Sequence, residues 1–156
     1  MAHSFLCKNH RAWLSQHPED AIQSCMSTCE AGWMLYQQGR WQEALPYVGS
    51  AFETAEILLC NRVIVPGSAM EWFLHTLAGL IQTLKTLNHI DVCKEFYQTA
   101  IDRLKQERMN NPGMKTAIDV QIHRLTHERW QLDVNGKPDV QQPQPFSNNQ
   151  HAMVLH

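Results

Sequence analysis

Apolar residues recur at spacings of three and four along most of the chain, the signature of helices that bury one face. The clearest run extends from Trp41 to Asn61, with Trp41, Ala44, Leu45, Val48, Ala51, Phe52, Ala55, Leu58 and Leu59 on one side. Ahead of it, Pro18, Glu19 and Asp20 predict the start of a helix that reaches about Gln38, with Gly39 as its stop. Proline lacks the N–H that a first turn leaves unused, and the two carboxylates meet the positive end of the helix dipole. Residues 5–15 predict a shorter preceding helix through Phe5, Leu6, Trp13 and Leu14.

Val65-Pro66-Gly67 interrupts the pattern, and Ser68-x-x-Glu71 reads as a capping box that opens a helix to about Leu87. Asn88 suits the cap of the next helix, which carries Ile90, Cys93, Phe96, Tyr97, Ala100, Ile101 and Leu104. After Asn110-Asn111-Pro112-Gly113, a fifth main helix is expected from Met114 to Leu132 through Ala117, Ile118, Ile122, Leu125 and Trp130. No convincing strand pair appears. The pattern predicts an all-α domain over residues 1–132, built of antiparallel helical hairpins with short connections. From residue 133 the chain turns polar and rich in Gln, Pro and Asn, which predicts a flexible tail with Phe146, Met153, Val154 and Leu155 as its apolar handles.

Composition narrows the class. The 156 residues are 44% hydrophobic and 18% charged, which excludes a wholly disordered chain. The formal charge is −2, and the basic residues of the last helix (Lys115, Arg124, Arg129) are offset by Asp119 and Glu128. No phosphate-tracking surface is expected, and hence no nucleic-acid partner. The longest apolar stretch, residues 55–66, is broken by Glu56, Asn61 and Arg62, so no membrane span is expected. Five cysteines without a recognisable secretory leader read as reduced thiols of a cytoplasmic protein.

Two predicted hairpins can be laid over one another. Gly32, Leu35, Gly39, Trp41, Ala44, Val48 and Ala51 match Ile81, Leu84, Asn88, Ile90, Cys93, Tyr97 and Ala100 at the same internal offsets. The first set resembles the tetratricopeptide repeat: a small residue, a large one, a turn glycine, an aromatic, then alanines where helices cross closely. The family repeats about every 34 residues. Here the step from Gly39 to Asn88 is 49, and Ile81 stands where the first hairpin has Gly32. The resemblance covers residues 25–105. It implies a right-handed stack of about five helices, and a protein or peptide partner held in a groove lined by the first helix of each hairpin. Carried over by position, the resemblance places Cys29, Trp33, Tyr36, Gln37, His75, Gln82 and Lys85 on the groove side. It makes the chain a protein–protein interaction module of adaptor, chaperone-like or regulatory kind. A short stack leaves apolar ends, which also admits a homo-oligomer formed through Trp72 or the last helix.

The same sequence carries a second reading. Cys7-x-x-His10 and Cys25-x-x-x-Cys29 are pairs at helical spacing, and two facing pairs would make a Cys3His site for structural zinc. The chain would then be a metal-stabilised or thiol-based sensor domain. His123-x-x-x-His127 is a further pair on one helix face, weak as a metal site unless another ligand arrives. No Gly-rich phosphate loop, no His-Glu-x-x-His and no Gly-x-Ser-x-Gly occurs, so no enzyme activity is expected.

Overall fold

The structure is a computed structural model that describes residues 3–62 and 64–135. Six α-helices hold nearly all of these residues, and no strand element occurs among them. They are α1 (Lys8–Gln16), α2 (Pro18–Gln37), α3 (Trp41–Asn61), α4 (Pro66–Thr86), α5 (Ile90–Asn110) and α6 (Lys115–Asn135), the last preceded by a 3-10 turn, Pro112–Met114. The expected all-α class holds, and no helix is long and apolar enough to cross a membrane. The described residues fall into two compact units, divided between Thr83 and Leu84.

In the first unit, α2 and α3 run antiparallel and pack tightly. Gly32 is the reason. A Cβ built there would lie 2.7 Å from Val48 Cγ1 and 3.1 Å from the Val48 backbone nitrogen, so only a hydrogen allows this approach. Ala44, Ala51 and Ala55 keep the rest of the seam narrow, and all three are buried. Cys25 lies in the same seam and its thiol donates to the Ala51 carbonyl at 3.5 Å. Phe52 of α3 meets Phe73 of α4 with ring centroids 5.2 Å apart, which joins α4 to this core.

The N-terminal segment is tied to α3 by a buried carboxylate. Glu53 is fully buried and its oxygens accept from the backbone N–H groups of Phe5 (3.0 Å) and Leu6 (2.7 Å). Arg11 of α1 supplies a countercharge at 3.5 Å. Gly49, one turn before Glu53, leaves room for the Phe5 ring to lie against the α3 backbone. Leu14 of α1 is then fully buried, and Asn61 of α3 donates to the Ser15 carbonyl at 3.1 Å.

In the second unit, α5 and α6 are also antiparallel. Tyr97 donates to Glu128 at 3.0 Å, Lys94 pairs with Asp133 at 2.6 Å, and Arg108 pairs with Asp119. Phe96, Ala100 and Leu104 of α5 and Ile118 and Leu125 of α6 are buried. Residues 133–135, expected to begin the tail, extend α6 instead. The remaining tail residues, including Phe146, Met153, Val154 and Leu155, lie outside the described residues.

Two local expectations change. Helix α4 starts at Pro66, so Ser68 and Glu71 fall inside the helix rather than forming a capping box. Proline at the first helical position supplies a preset φ and wastes no donor, which outweighs the serine signal two residues later. Asn88 does not cap α5; it is the left-handed residue that ends α4, at φ 61°. Gly39 does the same for α2 at φ 75°. The hydrogen bonds match in the two turns. Gly39 donates to Tyr36 and Arg40 to Leu35, as Asn88 donates to Lys85 and His89 to Leu84. Both are Schellman endings. The following residues, Arg40 (φ −91°, ψ 58°) and His89 (φ −90°, ψ 61°), have the same conformation as well.

Glu53→Ala removes the acceptor of the buried Leu6 N–H and the part-buried Phe5 N–H and leaves Arg11 with Glu56 alone at 3.9 Å, so it is expected to destabilise the fold by about 3 kcal/mol. Urea denaturation measures the loss, and faster proteolytic nicking before residue 10 locates it. Gly49→Ala drives a methyl into the Phe5 ring and is expected to cost about 1–3 kcal/mol in the same titration.

Candidate functional site

The turn at Gly39 assembles an aromatic surface on the first unit. Trp33 and Tyr36 are one helical step apart on α2, and their rings stack nearly parallel, 5.3 Å between centroids and 7° between planes. The Schellman ending reverses the chain within a few residues. Trp41, in the first turn of α3, comes back to Tyr36 at 6.4 Å and 47°. From α4, Gln82 Nε2 donates to the Tyr36 hydroxyl at 3.3 Å, which fixes the ring's free end. Trp33 and Tyr36 are half-buried, and Trp41 remains 40% exposed. Met34, on the neighbouring face of α2, is 53% exposed. Such a surface offers flat apolar area with a polar edge and little side-chain freedom to lose, the properties of an interface anchor.

The sequence-derived groove residues are therefore partly brought together. Trp33, Tyr36 and Gln82 share one surface, and Gln37 lies exposed beside them in the last turn of α2. His75 sits on α4 against Trp72, with ring centroids 6.5 Å apart. Burial lowers its pKa, and the nearby Glu71 carboxylate offsets only part of that effect. Lys85 belongs to the second unit, where its charge acts on the Cys93 thiol. Cys29 does not face outward; it is buried. Trp41 is the member that the spacing pattern assigned to the core. Its position two residues past a turn glycine, opposite an aromatic three residues before that glycine, is the signal that marks it.

The four residues of the expected zinc site are not gathered. Among the described residues, no group of three or more His, Cys, Asp or Glu side chains is placed to hold a metal ion. Cys7 and His10 are exposed at the start of α1, where the Cys7 sulfur accepts from the His10 backbone N–H at 3.5 Å as the helix cap. Cys25 and Cys29 are buried on α2. Burial pushes both thiols up, Cys29 to about 12; the neighbouring Cys29 thiol adds to the rise at Cys25, and the Glu30 carboxylate adds to it at Cys29. Cys93 is likewise raised to about 12 by burial. Small apolar packing explains these three thiols, whose thiolate forms are disfavoured at neutral pH.

His75 generates a pH prediction. Its folded-state pKa lies below the ordinary value near 6.5, so the unfolded chain binds the proton first. The stability that His75 contributes is present at neutral pH and is lost as pH falls through about 6.5. Thermal unfolding of the wild type is expected to drop relative to His75→Gln between about pH 7 and 5. Parallel curves for the two proteins would contradict this. No protein-family model, curated protein or solved structure matches the chain.

Proposed function

We propose that the chain is a protein–protein interaction module that receives a segment of a partner on the α2–α4 face around Trp33, Tyr36, Trp41 and Gln82. The observation that carries this reading is the aromatic stack itself, pinned at one end by Gln82 and half-exposed at Trp41. Stacked, pre-ordered rings are costly to leave in water and are typical of binding hot spots. Aromatic anchors of this kind suit an extended or helical peptide with an apolar side chain to set against the rings.

A tetratricopeptide-like architecture is part of the same proposal. It is supported by the close approach at Gly32 and by the matching turns at Gly39 and Asn88. The burial pattern supports it further. Ala44, Val48, Ala51, Phe52 and Ala55 of α3 correspond at the 49-residue offset to Cys93, Tyr97, Ala100, Ile101 and Leu104 of α5, and all ten are buried. In such a stack the first helices of successive hairpins present the binding face. On this reading Trp33, Tyr36 and Gln82 belong to that face.

The test is a selection of random peptides on the immobilised full chain, followed by fluorescence anisotropy on the enriched sequences. Trp33→Ala combined with Tyr36→Ala is expected to weaken binding by about 30-fold or more, the ~2 kcal/mol of a hot-spot aromatic, with helicity unchanged. Equal affinity for the wild type and the double variant, or enrichment of no peptide, would contradict the proposal.

A further inference from the structure

Helix α6 is apolar on two opposite faces. One, through Ile118, Ile122 and Leu125, turns inward, with Ile118 and Leu125 buried. The other is a stripe of positions 120, 123, 127, 130 and 134, which follows the alternating three-four spacing of a helix–helix seam. Its apolar members are unusually open: Val120 is 59% exposed, Trp130 56% and Val134 60%. Between them stand His123 and His127, both exposed. They lie one turn apart on the same face, the spacing at which two imidazoles chelate one ion. His127 is held in place by its ring, which stacks on Trp130 at 5.8 Å; the Gln131 amide nitrogen donates to its Nε2 at 3.1 Å, a contact that an ion ligated there displaces.

Two imidazoles are half of a tetrahedral set, and no third ligand from the described residues joins them. The missing half is available from symmetry. We propose that α6 pairs with α6 of a second copy across a divalent transition ion of the zinc class, ligated by His123 and His127 of both chains. An antiparallel two-fold arrangement whose axis passes midway between His123 and His127, on the face opposite the buried Leu125, sets His123 of one chain beside His127 of the other. The same register sets Val120 against Trp130, so that apolar contacts flank the ion on both sides and exclude water from it. The neighbouring Arg124 is already neutralised by Glu128 at 2.8 Å, so it presents no unpaired cation to the ion or to the second chain. The two-fold rule of isologous contacts is satisfied, because the same residues supply both sides of the interface.

The site is incomplete in one chain, so assembly and metal binding are linked. The experiment is sedimentation velocity on the full, untagged chain in EDTA and in zinc, with elemental analysis of the separated species. The expected result is a dimer about 100-fold tighter in zinc, containing one ion per two chains, with Trp130 emission changing on the same titration. His123→Ala with His127→Ala should abolish the zinc effect while leaving helicity intact, since both side chains are exposed. Val120→Glu with Val134→Glu should weaken the zinc dimer while sparing both histidines. Zinc bound by monomers alone would overturn the proposal as an adventitious ion only. A dimer that persists in EDTA and ignores the histidine substitutions would overturn it as well.

Discussion

The missing side chain at Gly32 sets how near α2 can come to α3, and the aromatic surface depends on that distance. With Val48 at the helix crossing, any larger residue would push the two helices apart. The turn at Gly39 would still form, but Trp41 would no longer meet Tyr36 at the observed separation. A close seam also explains the small residues along α3, where alanines take positions that leucine fills in looser pairs. Close packing within the hairpin is thus what lets three aromatic rings share one surface while two of them stay only half-buried.

The buried carboxylate of Glu53 serves the same seam from its other side. By accepting from Phe5 and Leu6 and facing Arg11, it fastens the segment before α1 to α3. A charge in this position is costly unless every lone pair is used. Here the cost is offset by the two backbone N–H groups that donate to it and by the Arg11 guanidinium. The second unit relies on a different balance. Its helices are joined by ion pairs and the Tyr97–Glu128 hydrogen bond beside buried apolar residues, and α6 keeps exposed apolar residues on a second face. One unit therefore spends its aromatic residues on an ordered surface, the other leaves a helix face uncovered.

Most of the helical layout was legible in the sequence. The three-four spacing of α3 gave its limits without change, and Pro18 and Gly39 marked the ends of α2 within one residue. Where reading failed, two local signals competed. Pro66 and Ser68 both announce a helix start, and the proline won. Asn88 is favoured both as an N-cap and in left-handed turns, and the turn claimed it because α4 ends there. The site was less legible than the fold. Helical spacing told which residues share a face of α2, which is why Trp33 and Tyr36 were found. It carried no information on what a different helix brings across a turn, which is why Trp41 was read as core. The cysteine pairs show the same limit: spacing within each pair was right for a shared face, but the pairing of faces is a tertiary fact, and α2 turns Cys25 and Cys29 inward.

The central claim is that the surface around Trp33 and Tyr36 is where another protein binds. Its most direct measurement is photo-crosslinking in the source cell from a benzophenone side chain at Gln37, exposed beside the stack, with Lys105 on the second unit as the control position. The account predicts a discrete adduct with a different protein from position 37, much weaker from position 105, and lost when Trp33 and Tyr36 are replaced by alanine. No adduct from position 37, or one that survives the loss of both rings, would contradict it.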